Sequence, residues 1–191
     1  MEVAVSSAEQ RLRKRLQRLS LCLILLSSPC LAQPETPVSL VEQRAKTVTQ
    51  VVLGILSYAR WPTEPVQLQL CVIGPTEYTD DLLKGAIQPS GRPVRAFRVL
   101  VSDPAIITDC NAVYLGRLSV EDRSDLFKAL SNQAVLSISE DANQCTVGSL
   151  FCLQVSDRQV AFEVNLDSVA RSGVRIHPSV LQLSRRRAVQ P

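Results

Sequence analysis

The first residues of the chain carry the pattern of an export signal, and this feature decides how the rest of the sequence is interpreted. Residues 11–18 hold five basic side chains and no acidic one, 19–26 form a short apolar run, and 27–32 are mostly small. A cationic segment, an apolar stretch of about 7–15 residues and small residues near a cut define a secretory signal peptide. The apolar run is too short to cross a bilayer, which takes about 20 residues. We therefore predict a cleavable signal over residues 1–32, cut near Ala32.

The segment that remains after removal of the signal differs from the full chain in net charge and in length. The full chain has 21 basic and 18 acidic residues, and the segment 33–191 keeps sixteen of each. A neutral segment without a basic stripe lacks the usual footprint of nucleic-acid binding. Its 159 residues suit one domain with a sizeable core. We predict a single domain over 33–191 that works outside the cytoplasm, with no nucleic-acid partner.

The cysteines of this domain indicate disulfides. Two of the six cysteines lie in the signal, and four remain: Cys71, Cys110, Cys145 and Cys152. An even number in an oxidising compartment indicates two bridges, for which three connectivities exist. A zinc site is disfavoured, because the chain has no C-x-x-C motif and His177 is its single histidine.

Local geometry favours one connectivity. Cys145 and Cys152 flank a short segment that contains the turn-forming Gly148, so their Cα atoms can approach the roughly 5–6 Å that a disulfide needs. Cys71 lies within an apolar strand, and Cys110 comes just before another. If those strands are neighbours, Cys71–Cys110 links them and is the main structural bridge. We expect Cys145–Cys152, in a short and exposed loop, to be the redox-sensitive bond.

Hydrophobic periodicity predicts strands that alternate with helices and end in a hairpin. The predicted helices cover 40–59, 77–86, 119–130, 165–171 and 178–186, and the predicted strands cover 66–73, 94–101, 112–115, 134–139, 150–155 and 159–164. This order predicts an α/β fold: a single domain with a mixed β-sheet of about six strands, flanked by about five helices and crossed by two disulfides.

The residues give no support for catalysis. His177 is the one side chain that titrates near neutral pH, and it lies beside Pro178 in a predicted turn. The chain has no G-x-S-x-G motif and no glycine-rich phosphate loop, and its paired acids lie at helix N-termini, where negative charge is favourable. We predict a protein that is not an enzyme and that uses no metal or cofactor.

Two segments are candidates for partner binding. Arg60 and Trp61 follow the first helix, and tryptophan and arginine are common in interface hot spots. The alternative is a tryptophan that covers the edge of the core. The second segment mixes apolar and cationic side chains, and a connector with one packed side is its alternative. Its candidate residues are Arg171, Val174, Arg175, Ile176 and His177.

Several segments together resemble the YfiR-like family of bacterial periplasmic proteins. Residues 55–62 (ILSYARWP) resemble its aromatic-x-x-Trp-Pro motif at the end of the first helix, and 68–74 (LQLCVIG) resemble its first strand. Residues 110–116 (CNAVYLG) resemble its central strand, and 162–186 resemble its closing Phe-x-x-Asn-Leu … Gly … Leu-x-x-Leu pattern. The chain departs from the family in having the single Gly148 where a glycine pair is usual.

The resemblance implies a regulator. It implies a periplasmic inhibitor, active as a homodimer, that binds a YfiN-type inner-membrane diguanylate cyclase and represses cyclic di-GMP synthesis and biofilm formation. It also implies relief by a YfiB-type outer-membrane lipoprotein, and a redox input in which the reduced, misfolded protein releases the cyclase. The four cysteines agree with the pairing that the family would use. Two rival hypotheses are a periplasmic small-ligand-binding module and a hydrolase that depends on His177.

Overall fold

Strands and helices alternate along the described chain. A computed structural model describes residues 39–145, 148–157 and 159–186. The strands are β1 (Ala59–Arg60), β2 (Leu68–Ile73), β3 (Ala86–Ile87), β4 (Pro93–Val99), β5 (Ala112–Leu115), β6 (Leu136–Ser139), β7 (Phe151–Val155), β8 (Val160–Val164) and β9 (Arg175–Ile176). The α-helices are α1 (Leu40–Ser57), α2 (Asp80–Leu83), α3 (Ala105–Asp109), α4 (Val120–Leu130), α5 (Leu166–Arg171) and α6 (Leu181–Arg186). Two short 3-10 helices cover Ala142–Gln144 and Pro178–Val180.

The predicted signal, residues 1–32, lies outside the described residues. The segments 33–38 and 187–191 of the predicted domain also lie outside them.

Seven strands form one mixed sheet, in the order β3-β4-β2-β5-β6-β7-β8. The five strands from β4 to β7 in this order run parallel, and β3 and β8 pair antiparallel at the two sides. The central strands β2, β5 and β6 are buried along almost their whole length, as parallel strands covered on both faces are expected to be. The predicted α/β class is confirmed, with one more strand in the sheet than the sequence indicates.

Helix α1 covers one face of the sheet. The Ser39 hydroxyl caps its first turn by accepting a hydrogen bond from the Glu42 N–H (3.2 Å). Its apolar side chains recur every three or four residues and are buried; Val48, Val52 and Ile55 are fully enclosed. Alternate residues of β2 enter two different core clusters, because successive side chains of a strand point to opposite faces.

One predicted helix is wrong in extent. The sequence predicts a helix over 77–86, but α2 covers only Asp80–Leu83. Gly85 takes a left-handed conformation (φ 88°) just after it, and β3 then pairs antiparallel with β4. The sequence pattern also does not predict β1, β9 or α3.

Candidate functional site

The structure brings together the two segments predicted to bind a partner. β1 and β9 pair antiparallel, with Ala59 opposite Ile176 and Arg60 opposite Arg175. The His177 N–H donates to the Tyr58 carbonyl oxygen (2.9 Å), and the rings of Tyr58 and His177 lie 6.3 Å apart between centroids. We call this two-stranded unit the ribbon.

The ribbon presents cationic side chains to solvent. Arg60, Arg175 and His177 are exposed, and Ile176 is half-buried. The Arg60 guanidinium donates to the carbonyl oxygens of Ser57 (2.8 Å) and Ala59 (2.7 Å), at the end of α1 where a positive charge is favourable. The Arg175 side chain makes no hydrogen bond or ion pair within the described part of the chain. Of the two arginines paired across the ribbon, Arg175 is therefore the one whose guanidinium has no partner among the described residues.

Arg171 also belongs to the predicted surface. It is exposed and ends α5, four residues before Arg175 in the chain.

Two of the predicted contact residues are buried. Trp61 is 6% exposed, and its indole N–H donates to the Asn111 carbonyl oxygen (2.9 Å). Val174 is 3% exposed. The structure agrees with the alternative given for Trp61, a side chain that covers the edge of the core. We therefore assign Trp61 and Val174 a supporting position beneath the ribbon.

The four cysteines form the two predicted pairs. Cys71 and Cys110 are bonded, with Cα atoms 5.8 Å apart, and their strands β2 and β5 are parallel neighbours. Cys145 and Cys152 are bonded, with Cα atoms 5.4 Å apart. Of the four, only Cys145 is partly exposed, while Cys152 is fully buried in β7. The second bridge is thus less exposed than the sequence suggests, because one of its halves lies inside the sheet.

A cavity of about 520 Å³ opens at the carboxyl edge of the parallel strands. Its walls come from the segments after β2, β5 and β6 and from the β7–β8 hairpin. The charged residues among its described lining are Glu77, Arg117, Glu140 and Asp141. Gly116 lets two of these segments meet, because a Cβ atom there would collide with the Pro75 carbonyl oxygen.

Two polar atoms beside this cavity lack a hydrogen-bond partner among the described residues. Glu140 Oε1 accepts from the Glu77 N–H (2.6 Å), whereas Glu140 Oε2 is buried and unpaired. The Tyr114 hydroxyl is likewise unpaired, on a side chain with no exposed surface. The two groups make no hydrogen bond of regular geometry, but they face each other, and a hydrogen-bonding interaction between the Tyr114 hydroxyl and the Glu140 carboxylate affects the pKa of both.

Burial changes the proton affinity of both groups. Burial raises the pKa of Tyr114 well above its usual value, and the charge of Glu140 raises it further. Burial also raises the pKa of Glu140, and the nearby Glu77 charge adds to this, while hydrogen bonds that Glu140 accepts oppose it.

This cavity is not among the sites predicted from the sequence. One signal for it is present: in a parallel sheet, residues shortly after the strands meet at one edge, and Glu77, Arg117 and Glu140 come within four residues of a strand end. Reading those positions together would have predicted a charged pocket there.

The family model described as YfiR/HmsC-like (DUF4154) matches residues 45–185, well over half of the 191-residue chain. The chain belongs to the YfiR/HmsC-like family. The match contains both strands of the ribbon, all four paired cysteines and the charged lining of the cavity.

This membership sets the protein's general role. The family is one of periplasmic, non-catalytic regulators in cyclic di-GMP signalling that interact with a diguanylate cyclase. No helix within the described ranges combines the length and the apolar character needed to cross a membrane.

Proposed function

We propose that the mature protein binds the periplasmic part of a YfiN-type inner-membrane diguanylate cyclase and inhibits it. Inhibition represses cyclic di-GMP synthesis and biofilm formation, and a YfiB-type outer-membrane lipoprotein relieves it by sequestering the inhibitor. Family membership supports the class of partner. The proposal includes export by the signal over residues 1–32 and assembly of the mature protein into a homodimer.

The ribbon is the observation that carries the choice of surface. It holds Arg175, Ile176 and His177 beside Arg60 on paired backbone, so these exposed groups need little ordering when a partner binds. Arginine is enriched in hot spots, and aromatic or apolar neighbours exclude water around it. Because the guanidinium of Arg175 has no partner in the part of the chain that the structure describes, we assign it the central contact.

Charge reversal at Arg175 tests this surface. We expect Arg175→Glu to weaken capture of the cyclase by roughly tenfold and to raise cellular cyclic di-GMP, because a like or unpaired charge at an interface is costly. Lys128→Glu on α4 is the matched control, since Lys128 is 73% exposed and pairs only with the equally exposed Asp125. Equal binding by the Arg175 variant and the control would rule out the ribbon as the contact.

Deletion of the gene tests the role itself. Loss of an inhibitor should raise cyclic di-GMP and increase biofilm, and the wild-type gene should reverse both effects. An unchanged cyclic di-GMP level would contradict the proposed inhibition, whatever surface makes the contact.

The homodimer has a separate test. Sedimentation velocity on the purified, oxidised protein should give the mass of two chains. A single-chain mass at micromolar concentration would remove the dimer from the proposal and leave the cyclase contact standing.

Reduction of Cys145–Cys152 is the proposed redox input. A dithiol reductant would transfer two electrons, leaving Cys145 and Cys152 as thiols and the reductant as a disulfide. Cys145 is the most accessible of the four bridged cysteines. It is partly exposed, whereas Cys71 and Cys110 are 0% and 5% exposed. We expect timed alkylation and mass spectrometry to find Cys145 and Cys152 labelled first, together with loss of cyclase binding. Earlier labelling of Cys71 and Cys110 would contradict this input.

A further inference from the structure

We propose that Asn165 is a positioning residue that couples the Cys145–Cys152 bridge to the ribbon. Its side chain binds one cysteine of the bridge and also the helix that precedes β9, so that breaking the disulfide loosens the ribbon. The inference rests on the proposed function, in which this bridge is the redox input and the ribbon contacts the cyclase. It deepens that function by naming the residue that links the two.

The side-chain amide of Asn165 makes two hydrogen bonds to different parts of the fold. Its Nδ2 donates to the Cys145 carbonyl oxygen (2.9 Å), and its Oδ1 accepts from the Ser168 N–H (2.9 Å) in the first turn of α5. An oxygen in the second position caps a helix. The bond to Cys145 joins residues twenty positions apart in the chain. One half-buried side chain therefore connects the bridge with α5.

The disulfide restrains the acceptor of the first hydrogen bond. Cys152 is fully buried in β7, and the bridge holds its Cα atom 5.4 Å from that of Cys145. The Cys145 N–H donates to the Ala142 carbonyl oxygen (3.1 Å), a contact within one short turn of the chain. After reduction, the two thiols can separate, and the Cys145 carbonyl loses the covalent restraint that keeps it beside the Asn165 amide. The hydrogen bond from Asn165 is then weaker.

The connection from α5 to the ribbon is short. The helix ends at Arg171, and Arg175 of β9 follows four residues later. The Ser172 hydroxyl lies 2.9 Å from the Val169 carbonyl oxygen and 3.1 Å from that of Val174, so it joins the last turn of α5 to the residue before β9. Short elements of this kind open locally at a lower free energy than the core of a sheet. Fraying of α5 therefore extends into β9.

The coupling is reciprocal by thermodynamic necessity. An intact bridge favours the hydrogen bond between Asn165 and Cys145, so this hydrogen bond must favour the intact bridge by the same factor. A typical net hydrogen bond corresponds to a factor of about five in an equilibrium constant. Loss of the amide donor should therefore make the bridge easier to reduce.

Asn165→Asp tests the effect on the bridge, because it removes the donor and keeps an oxygen for the Ser168 N–H. In exchange with dithiothreitol, two electrons and two protons pass to the protein, the Cys145–Cys152 bond breaks and a disulfide forms in the reagent. We expect the equilibrium constant of this exchange to rise about fivefold, measured by alkylation and mass spectrometry on the protein expressed from its full sequence.

Asn165→Ser also lacks the amide donor but carries no charge, and should change the equilibrium in the same direction. An equilibrium constant that is unchanged in both variants, or raised only in the charged one, would overturn the coupling. Ser39→Ala is the matched control, because it removes the hydroxyl that caps α1 at the end of that helix far from β1. It should leave the bridge equilibrium unchanged. An equal change in this variant would indicate a general loss of stability and contradict the coupling.

Hydrogen exchange tests the effect on the ribbon. Replacing Cys145 and Cys152 with alanine removes the bridge and should speed exchange of the His177 amide, which donates to the Tyr58 carbonyl oxygen, about fivefold. Asn165→Asp should have a similar effect. The triple variant should exchange more slowly than the product of the two effects predicts, because both changes break the same link.

Two results would contradict the coupling: unchanged exchange of the His177 amide in Asn165→Asp, and effects of the two changes that simply multiply in the triple variant. Neither the reduction equilibrium nor the exchange measurement uses the cyclase. Failure of the coupling is therefore observed separately from failure of the proposed inhibition.

Discussion

At the amino edge of the parallel sheet, where β5 begins, the polar groups of Asn111 bind several neighbouring segments. Its side-chain oxygen accepts from the Gln69 N–H (2.9 Å), and its carbonyl oxygen accepts from the Leu136 N–H (3.0 Å) and the Trp61 indole (2.9 Å). At the carboxyl edge, Glu140 Oε2 and the Tyr114 hydroxyl make no hydrogen bond of regular geometry within the described residues and interact with each other. The same sheet therefore has one edge where polar groups make well-formed hydrogen bonds and another where two polar groups interact with poor geometry.

This difference bears on stability. Hydrogen bonds and a disulfide at the amino edge hold β2, β5 and the segment after α1 together, so changes there should lower the free energy of unfolding. Removing the Tyr114 hydroxyl at the carboxyl edge should cost little stability, because no hydrogen bond of regular geometry is lost. Each prediction below tests one side of this comparison against the other.

The largest effect is expected from the disulfides. Replacing Cys71 and Cys110 together with alanine should lower the free energy of unfolding by about 4 kcal/mol, and replacing Cys145 and Cys152 by about 2.5 kcal/mol. The chain-entropy model gives this order, because the two bridges span sequence separations of 39 and 7 residues. Urea unfolding of the two double variants measures the difference. The reverse order would contradict the amino edge as the more stabilising one.

Trp61→Phe should have the next largest effect. It removes the indole donor to Asn111 and part of a buried ring, at a cost of about 1–2 kcal/mol, since a hydrogen bond contributes roughly 1 kcal/mol and lost packing adds to it. Urea unfolding and the hydrogen exchange of the Leu136 amide both report on this edge. A variant as stable as the wild type would show that the hydrogen bond from Trp61 to Asn111 does not stabilise this edge.

Tyr114→Phe is the matched change at the other edge. The hydroxyl makes no hydrogen bond of regular geometry in the residues described and interacts with Glu140, so its removal should leave the free energy of unfolding within about 0.5 kcal/mol of the wild type. The ring stays in the core. A loss as large as that of Trp61→Phe would show that the hydroxyl is paired in solution and would erase the contrast between the edges.

The smallest effect concerns pH. Because the folded-state pKa of Glu140 is raised by burial, the folded state holds this proton more tightly than the unfolded chain. The resulting stabilisation is present below the ordinary carboxyl pKa and is lost as the pH rises through the raised value. The groups that face Glu140 are Glu77, Tyr78 and Tyr114.

Glu140→Gln removes this dependence. The variant's stability relative to the wild type should increase as the pH rises through the raised pKa, as measured by thermal unfolding across that range. A difference that does not change with pH would indicate that Glu140 is as well solvated as an ordinary surface carboxyl.

Much of the fold could be predicted from the sequence because its signals are local. The alternation of apolar strands with amphipathic helices gives the α/β class, and the cysteine spacing gives both bridges. The sequence pattern extends α2 too far, because Gly85 and the pairing of Ala86 with Val94 override helical periodicity. The pairing of β1 with β9 could not be predicted, because two-residue strands are too short to show a period. The sequence does show the cationic side chains of these strands.

The buried contacts beside the cavity could not be predicted in the same way. Whether Glu140 Oε2 has a partner depends on the positions of Glu77 and Tyr114, which lie on different segments. Burial of Trp61 depends in the same manner on Asn111, fifty positions away in the chain. Such contacts follow from the packed structure and have no counterpart in composition or spacing.

The ribbon also has a consequence for the order of folding. Its paired residues, Ala59 and Ile176, are 117 positions apart in the chain, so closing this contact early would carry a large entropic cost. The ribbon can form without this entropic cost only after the sheet has brought the two segments together. If the ribbon is the inhibitory surface proposed above, a chain that has not completed its sheet lacks that surface.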